Sequence, residues 1–262
     1  MPISSPDNKQ FAFGGGVQST AALVLSATGK LDYSTFLFAN VGDDSENPHT
    51  ISYVNEVAIP YAEEHGITII SLSRPESILS HVLSPDNSSI VIPVRSAKGG
   101  FGNRACTNHW KRKIISSWQR ERGASKLNPF TLGIGISFDE LHRMKTDSGS
   151  KSQIIEYPLV DKRLTRKDCT RIISSQHLPV PPKSSCWFCP FKSKSEWFAM
   201  RRNDPSLFDK ASSLEKSINE KRLMLGHNMP VYLHEPDSLE EAIYDDESYF
   251  EEPVCESGYC FI

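Results

Sequence analysis

Over its first two thirds the chain alternates short apolar runs with stretches whose apolar residues recur at helical spacing. Residues 10–14 read as a strand, 18–28 as a helix, and 35–39 as a second strand ending in Asn40-Val41-Gly42-Asp43-Asp44. Ile51, Val54, Val57, Ala58 and Tyr61 then set a helical pattern over 48–65, which Pro60 is expected to bend, and 68–72 reads as another strand. Strands alternating with helices favour a parallel sheet covered on both faces.

Residues 73–104 break the rhythm. Ser-Pro, Asn-Ser-Ser and Gly-Gly punctuate them, only 90–94 looks extended, and the segment reads as an insertion or a flexible segment near the site. Helix follows over 107–122, strand over 130–136, and a helix starting at Asp161 or Thr165 that runs through 175. Pro179-Val180-Pro181-Pro182-Lys183 is a stiff connector into helical patterns at 195–202 and 205–225. The expected fold is α/β: a Rossmann-like (HUP-type) parallel sheet with helices on both faces over 1–178, then a small helical, cysteine-containing region over 179–262.

Phe11-Ala12-Phe13 breaks into Gly14-Gly15-Gly16, followed by Val17-Gln18-Ser19-Thr20 at the start of a helix. Glycines admit positive φ and close approach of the backbone to phosphate oxygens, and the helix N-terminus adds donors and a positive dipole end. Ser19 and Thr20 can cap the helix or donate to phosphate. A Walker loop needs a lysine that is missing here, and a dinucleotide fingerprint needs glycine where Ser19 stands. A ligand-free strand-to-helix turn is the plainer alternative.

Two more polar clusters follow strands. Asp43, Asp44 and Glu46 are hard oxygen ligands suited to Mg²⁺ beside a polyphosphate, or simply solvated acids. Gly133-Ile134-Gly135-Ile136-Ser137, with Asp139, Glu140, His142 and Arg143 beyond it, pairs close-approach glycines with a cation that could meet a phosphate, or is a plain strand-to-loop turn. Arg104, Lys111, Arg112 and Lys113 are further cationic candidates.

The chain has 262 residues, 38% of them hydrophobic, and a net charge of −3, which gives no global pull toward nucleic acid. No leader pattern or membrane-length apolar run is read, so a cytoplasmic protein is expected, and its six cysteines are read as metal ligands, thiols or core rather than disulfides. Cys186-Trp187-Phe188-Cys189 can place two sulfurs on Zn²⁺ or an iron–sulfur cluster, with Cys106, Cys255 and Cys260 as completers; a redox dithiol is the competing reading. Trp187, Phe188, Phe191, Trp197 and Phe198 are expected to bury that site, to serve as plain core, or to stack on a base, and Cys169 is read as core.

Together these motifs resemble the phosphoadenosine phosphosulfate reductase family of the PP-loop superfamily, in its divergent bacterial and phage-type branch. Gly14 to Ser19 resemble the Ser-Gly-Gly-x-Asp-Ser loop, with Gly14 for the first serine and Gln18 for the aspartate. Phe38 to Asp43, Cys106 to Lys111, Gly133 to Arg143, Tyr157-Pro158-Leu159 with Asp161 and Asp168, and Cys186 to Pro190 resemble its other elements. The Glu-Cys-Gly-Leu-His motif of true sulfonucleotide reductases is replaced by Cys255-Glu256-Ser257-Gly258-Tyr259-Cys260.

The resemblance therefore implies an enzyme that adenylates a substrate with ATP and Mg²⁺, releasing pyrophosphate, for sulfur transfer or modification of a nucleic acid or nucleoside. A sulfonucleotide reductase and a non-catalytic nucleotide-binding regulator are the alternatives. The implied nucleotide site is Gly14, Gly15, Gly16, Val17, Gln18, Ser19, Thr20, Asn40, Gly133 and Gly135, with Ser19, Asp43, Lys111 and Arg143 catalytic and Asp43 and Asp44 holding Mg²⁺. A [4Fe–4S] cluster, or Zn²⁺, falls to Cys106, Cys186, Cys189 and Cys260, with Cys255 in reserve. Expected partners are a small nucleotide, a nucleic acid or sulfur-donor protein and no membrane, with a homo-oligomer left open.

Overall fold

The computed structural model describes residues 8–145, 150–234 and 237–243. Its first half runs β1 (Lys9–Phe13), α1 (Val17–Ala27), β2 (Thr35–Asn40), α2 (Pro48–Tyr53), α3 (Ile59–Glu64), β3 (Thr68–Ser73), α4 (Ile78–Leu83), β4 (Arg95–Ser96) and α5 (Lys113–Glu121). There follow β5 (Phe130–Ile134), β6 (Gln153–Glu156), α6 (Pro158–Asp161), α7 (Arg166–Ser174), α8 (Lys194–Asn203), α9 (Pro205–Met224), β7 (Val231–Tyr232) and α10 (Leu239–Ala242). The chain forms two compact units. Among the described residues, those from 8 to 74 and from 109 to 185 make unit 1, and those from 75 to 108 join those from 186 to 243 in unit 2. In this division residues 75–108 belong with the C-terminal part of the chain.

Unit 1 carries a five-stranded, wholly parallel sheet in the order β3-β2-β1-β5-β6. Its core follows from the period-two alternation of strand side chains. Phe11, Phe13, Phe36 and Phe38 point to one face, where they meet α1 residues Ala21 and Leu25, Tyr53 and Ala58, and α7 residues Cys169 and Ile173. Ala12, Leu37, Ala39 and Leu132 point to the other, against Ile115 of α5. The aromatics of β1 and β2 thus enter one layer, and their small or aliphatic residues the other.

The bend expected at Pro60 is a π turn over Val54–Ala58 that joins α2 to α3, with Ile59 N–H reaching back to the Val54 carbonyl. Proline has no N–H to give the helix ladder, and a widened turn absorbs the missing bond. A second π turn, Thr107–Arg112, leads into α5. The strand β6 lacks a counterpart in the sequence reading, which saw only the strand-end pattern after it.

Unit 2 contains no strand at 90–94. Val91, Ile92 and Val94 are buried without a ladder, and the short β4 pairs antiparallel with β7. α8 starts on a capping box formed by Ser193 and Glu196. Trp197 and Phe208 pack edge-on between α8 and α9, their ring centroids 6.5 Å apart. Glu215 of α9 is buried, and its two carboxylate oxygens accept from Leu233 N–H and Leu239 N–H, both at 2.7 Å, which pins the following strand and α10 to the helix. Burial pushes its carboxyl pKa up. Lys221 donates its ammonium to the carbonyls of Val82 and Ser84 at 2.9 and 2.6 Å, closing the end of α4.

Gly133 lies within β5, and a Cβ there would sit 2.6 Å from the Phe11 ring and 2.7 Å from the Tyr33 hydroxyl. Gly133→Ala is therefore expected to cost about 1–3 kcal/mol by overpacking, read as a lower urea midpoint with an unchanged slope. Cys169 is fully buried, and burial pushes its thiol pKa up to about 12. It is expected to react with a thiol reagent at pH 8 only after denaturant is added.

Candidate functional site

The chain leaves β1 toward β2 and β3 on one side and returns to β5 and β6 on the other, so strand order reverses between β1 and β5. In open parallel sheets ligands occupy the crevice at the carboxyl ends of the strands at such a reversal. Here that crevice is flanked by Gly14-Gly15-Gly16 after β1 and Gly135-Ile136-Ser137 after β5.

The glycine loop is shaped by its neighbours. Gly15 has φ +71°, and a Cβ on it would stand 2.9 Å from Thr50 Cγ2 and 3.0 Å from Val54 Cγ2. Gly16 faces Ser184, whose Oγ would be 2.8 Å from an added Cβ. Gly135 lies against the first turn of α1, where a Cβ would meet Ser19 N at 3.2 Å. The N–H groups of Gly14 and Gly16 converge on Ser19 Oγ at 3.3 and 3.2 Å, and that hydroxyl donates to the Gly16 carbonyl at 3.0 Å. Two backbone donors at a helix N-terminus thus aim at one oxygen, an arrangement that accepts an anionic oxygen as readily as a hydroxyl.

Gln18 ties the loop to the far side of the crevice. Its Nε2 donates to Glu140 Oε2 at 3.1 Å and Ser137 Oγ at 3.4 Å, and its Oε1 accepts from Arg166 Nη1 at 3.2 Å. Glu140 Oε2 also accepts from Arg143 Nη1 at 2.6 Å, in a pair with side chains only 10% and 7% exposed. Arg143 Nε is buried without a hydrogen-bond partner among the described residues. Two guanidiniums and one carboxylate therefore meet through Gln18.

Of the expected site residues, Gly14, Gly15, Gly16, Gln18, Ser19, Gly135 and Arg143 come together at this crevice. Val17 and Thr20 turn into the interior, at 4% and 1% exposure, and Gly133 serves core packing. Asn40 closes the turn after β2, accepting from Gly42 N–H and donating to Asp43 Oδ1 at 2.7 Å. Asp43 and Asp44 are exposed on that turn. Lys111 is buried in the π turn before α5, whose neighbouring His109 and Trp110 meet Arg74 just after β3, on the side of the sheet away from the β1–β5 reversal. Arg166 was missing from the sequence reading. Its signal was faint, since only its position just after the Thr165 cap of α7 marks it.

Mg²⁺ is bound through one or two carboxylates plus water and substrate phosphates, and the Asp43–Asp44 pair suits that need. The sulfur site is less complete. Cys106, Cys186 and Cys189 all lie in unit 2, and Cys189 N–H bonds the Cys186 carbonyl at 3.1 Å in a tight turn. Among the described residues, however, no three His, Cys, Asp or Glu side chains gather as a metal site, and Cys255 and Cys260 lie outside those residues. The described cysteines do not by themselves fit an iron–sulfur cluster. No described helix is long and apolar enough to cross a membrane.

Compared with known protein families, curated proteins and solved structures, the chain finds no match.

Because Glu140 and Arg143 are both buried, Arg143→Ala leaves a carboxylate with a single amide partner and is expected to cost about 3–5 kcal/mol. Adding Glu140→Gln should recover part of that loss, and a double-mutant cycle in urea would show it as a coupling energy above about 1 kcal/mol.

Proposed function

We propose that unit 1 binds ATP at the glycine loop and transfers its adenylyl group to an acceptor oxygen, as the activating step of sulfur transfer or of nucleic-acid or nucleoside modification. The observation that carries this reading is the convergence of Gly14 and Gly16 N–H on a single oxygen at the N-terminus of α1, in the crevice where strand order reverses.

On this reading Ser19 Oγ rotates away, and a phosphate oxygen takes its place on the two N–H groups. The acceptor oxygen bonds to the α-phosphorus and passes its proton to water, while the bond from that phosphorus to the bridging oxygen breaks and its electron pair leaves with pyrophosphate. Charge develops on the departing group, where the loop N–H groups and the α1 dipole act without reorganising. Arg143, whose Nε has no partner among the described residues, supplies a further donor that Glu140 holds in place. Mg²⁺ arriving with the nucleotide would sit at Asp43 and Asp44 and offset phosphate charge. The cysteines are given no step.

A second reading, nucleotide holding without turnover, is favoured by Gln18, whose amide is engaged at both ends and brings no charge to the loop. Calorimetric titration of the full chain with MgATP, followed by pyrophosphate release in the presence of nucleic-acid and nucleoside acceptors, tests both. Binding with release supports adenylation, binding without release supports the holding reading, and no binding at millimolar MgATP overturns both. Gly15→Ala, which combines a positive φ with a clash, is expected to lower release about 100-fold, on the scale of losing a preorganised donor, with an unchanged circular dichroism spectrum.

A further inference from the structure

Unit 2 has a surface that the chemistry of unit 1 does not use. Phe101 is 48% exposed, although it is a large aromatic. Its ring lies 4.5 Å from that of Phe191, and each ring carries a guanidinium: Arg95 at 4.3 Å from the Phe101 centroid and Arg104 at 5.0 Å from that of Phe191. Phe101 also forms a wall of a cavity of about 350 Å³. Ile92, Val94 and Val231 give this cavity apolar sides, and Asn103 and Arg222 give it polar ones.

Charge distribution decides what such a surface fits. The protein as a whole is slightly acidic, yet no Asp or Glu occurs between Asp86 and Glu121 or between Asp168 and Glu196. The Phe101–Phe191 contact brings the unit 2 portions of these two acid-free stretches together, with Arg95, Lys98, Arg104 and Lys194 on them. Exposed aromatics interleaved with cations are the means by which proteins hold unpaired nucleotides, stacking supplying affinity for the base and guanidiniums for the phosphates. A duplex hides its base faces, so an exposed ring gains nothing from it.

We propose that unit 2 binds single-stranded nucleic acid. One base enters the cavity against Phe101, and the flanking phosphates lie on Arg95, Arg104 and Arg222. As an assignment of the acceptor this rests on the adenylation reading of unit 1; as a binding surface it does not.

The test is fluorescence anisotropy of the full chain with a labelled mixed-sequence 20-nucleotide single strand, its duplex and a free nucleoside monophosphate as competitor. The single strand is expected to bind at least 10-fold more tightly than the duplex. Phe101→Ala should weaken it by about 5- to 100-fold, matching the loss of one stacked base. Arg104→Gln should lower the salt slope by close to one unit, whereas Lys210→Gln, at an exposed lysine of α9 that does not line the cavity, should leave affinity within twofold. Equal binding of duplex and single strand, or unchanged affinity in Phe101→Ala, overturns the proposal. So does displacement of the strand by micromolar monophosphate, which would mark a free-nucleotide pocket. MgATP binding on the same preparation separates the two failures: strand binding without MgATP binding leaves this surface standing and removes the ATP reading, and the converse removes this surface alone.

Discussion

β1 is hydrogen-bonded along both edges, to β2 on one side and β5 on the other, and all three strands run the same way. Parallel neighbours cannot be joined by a tight turn, so every connection crosses a face of the sheet and starts from a carboxyl end. The loops after β1 and β5 are driven apart as their chains leave for opposite halves of the sheet. The opening between them is a geometric necessity of that strand order. The chain's own contribution is to line it with glycines where the backbone must come close and with Gln18, Glu140, Arg143 and Arg166 where it need not.

That polar network sits where the interior would ordinarily exclude charge. Glu140 and Arg143 are nearly buried, and their mutual hydrogen bond is what makes burial tolerable. Gln18 extends the pair to Arg166 with a neutral amide, which can donate to the carboxylate and accept from the guanidinium at once. An aspartate at that position would have faced Glu140 with like charge. Gln18 and Glu140, on opposite sides of the crevice, are thus two halves of one electrostatic arrangement.

Unit 1 was largely legible in the sequence because its signals are local. The alternation of Phe11, Ala12 and Phe13, the glycine run, and the periodicity from Ile51 to Tyr61 each lie within one element. What stayed hidden depends on neighbours distant in the chain. Gly133 and Gly135 look alike in sequence, and only Tyr33 beside one and Ser19 beside the other separate packing from site. Arg166 reaches Gln18 across 148 residues, a pairing no spacing rule announces. The apolar run at 90–94 resembled a strand because burial and β-propensity look the same until a partner edge is found, and none of its residues finds one in a ladder.

The make-up of unit 2 also orders events during synthesis. Residues 75–108 leave the ribosome well before Cys186 and the helices that complete their core, whereas unit 1 has all its strands and covering helices once residue 174 has emerged. The parallel sheet can therefore close first along the growing chain, while Ile78 of α4 and Arg95 of β4 await α9 and β7. A truncation ahead of α9 removes the helix on which α4 packs and the Lys221 that holds its end, so the middle of the protein depends on the C-terminal half to complete its core.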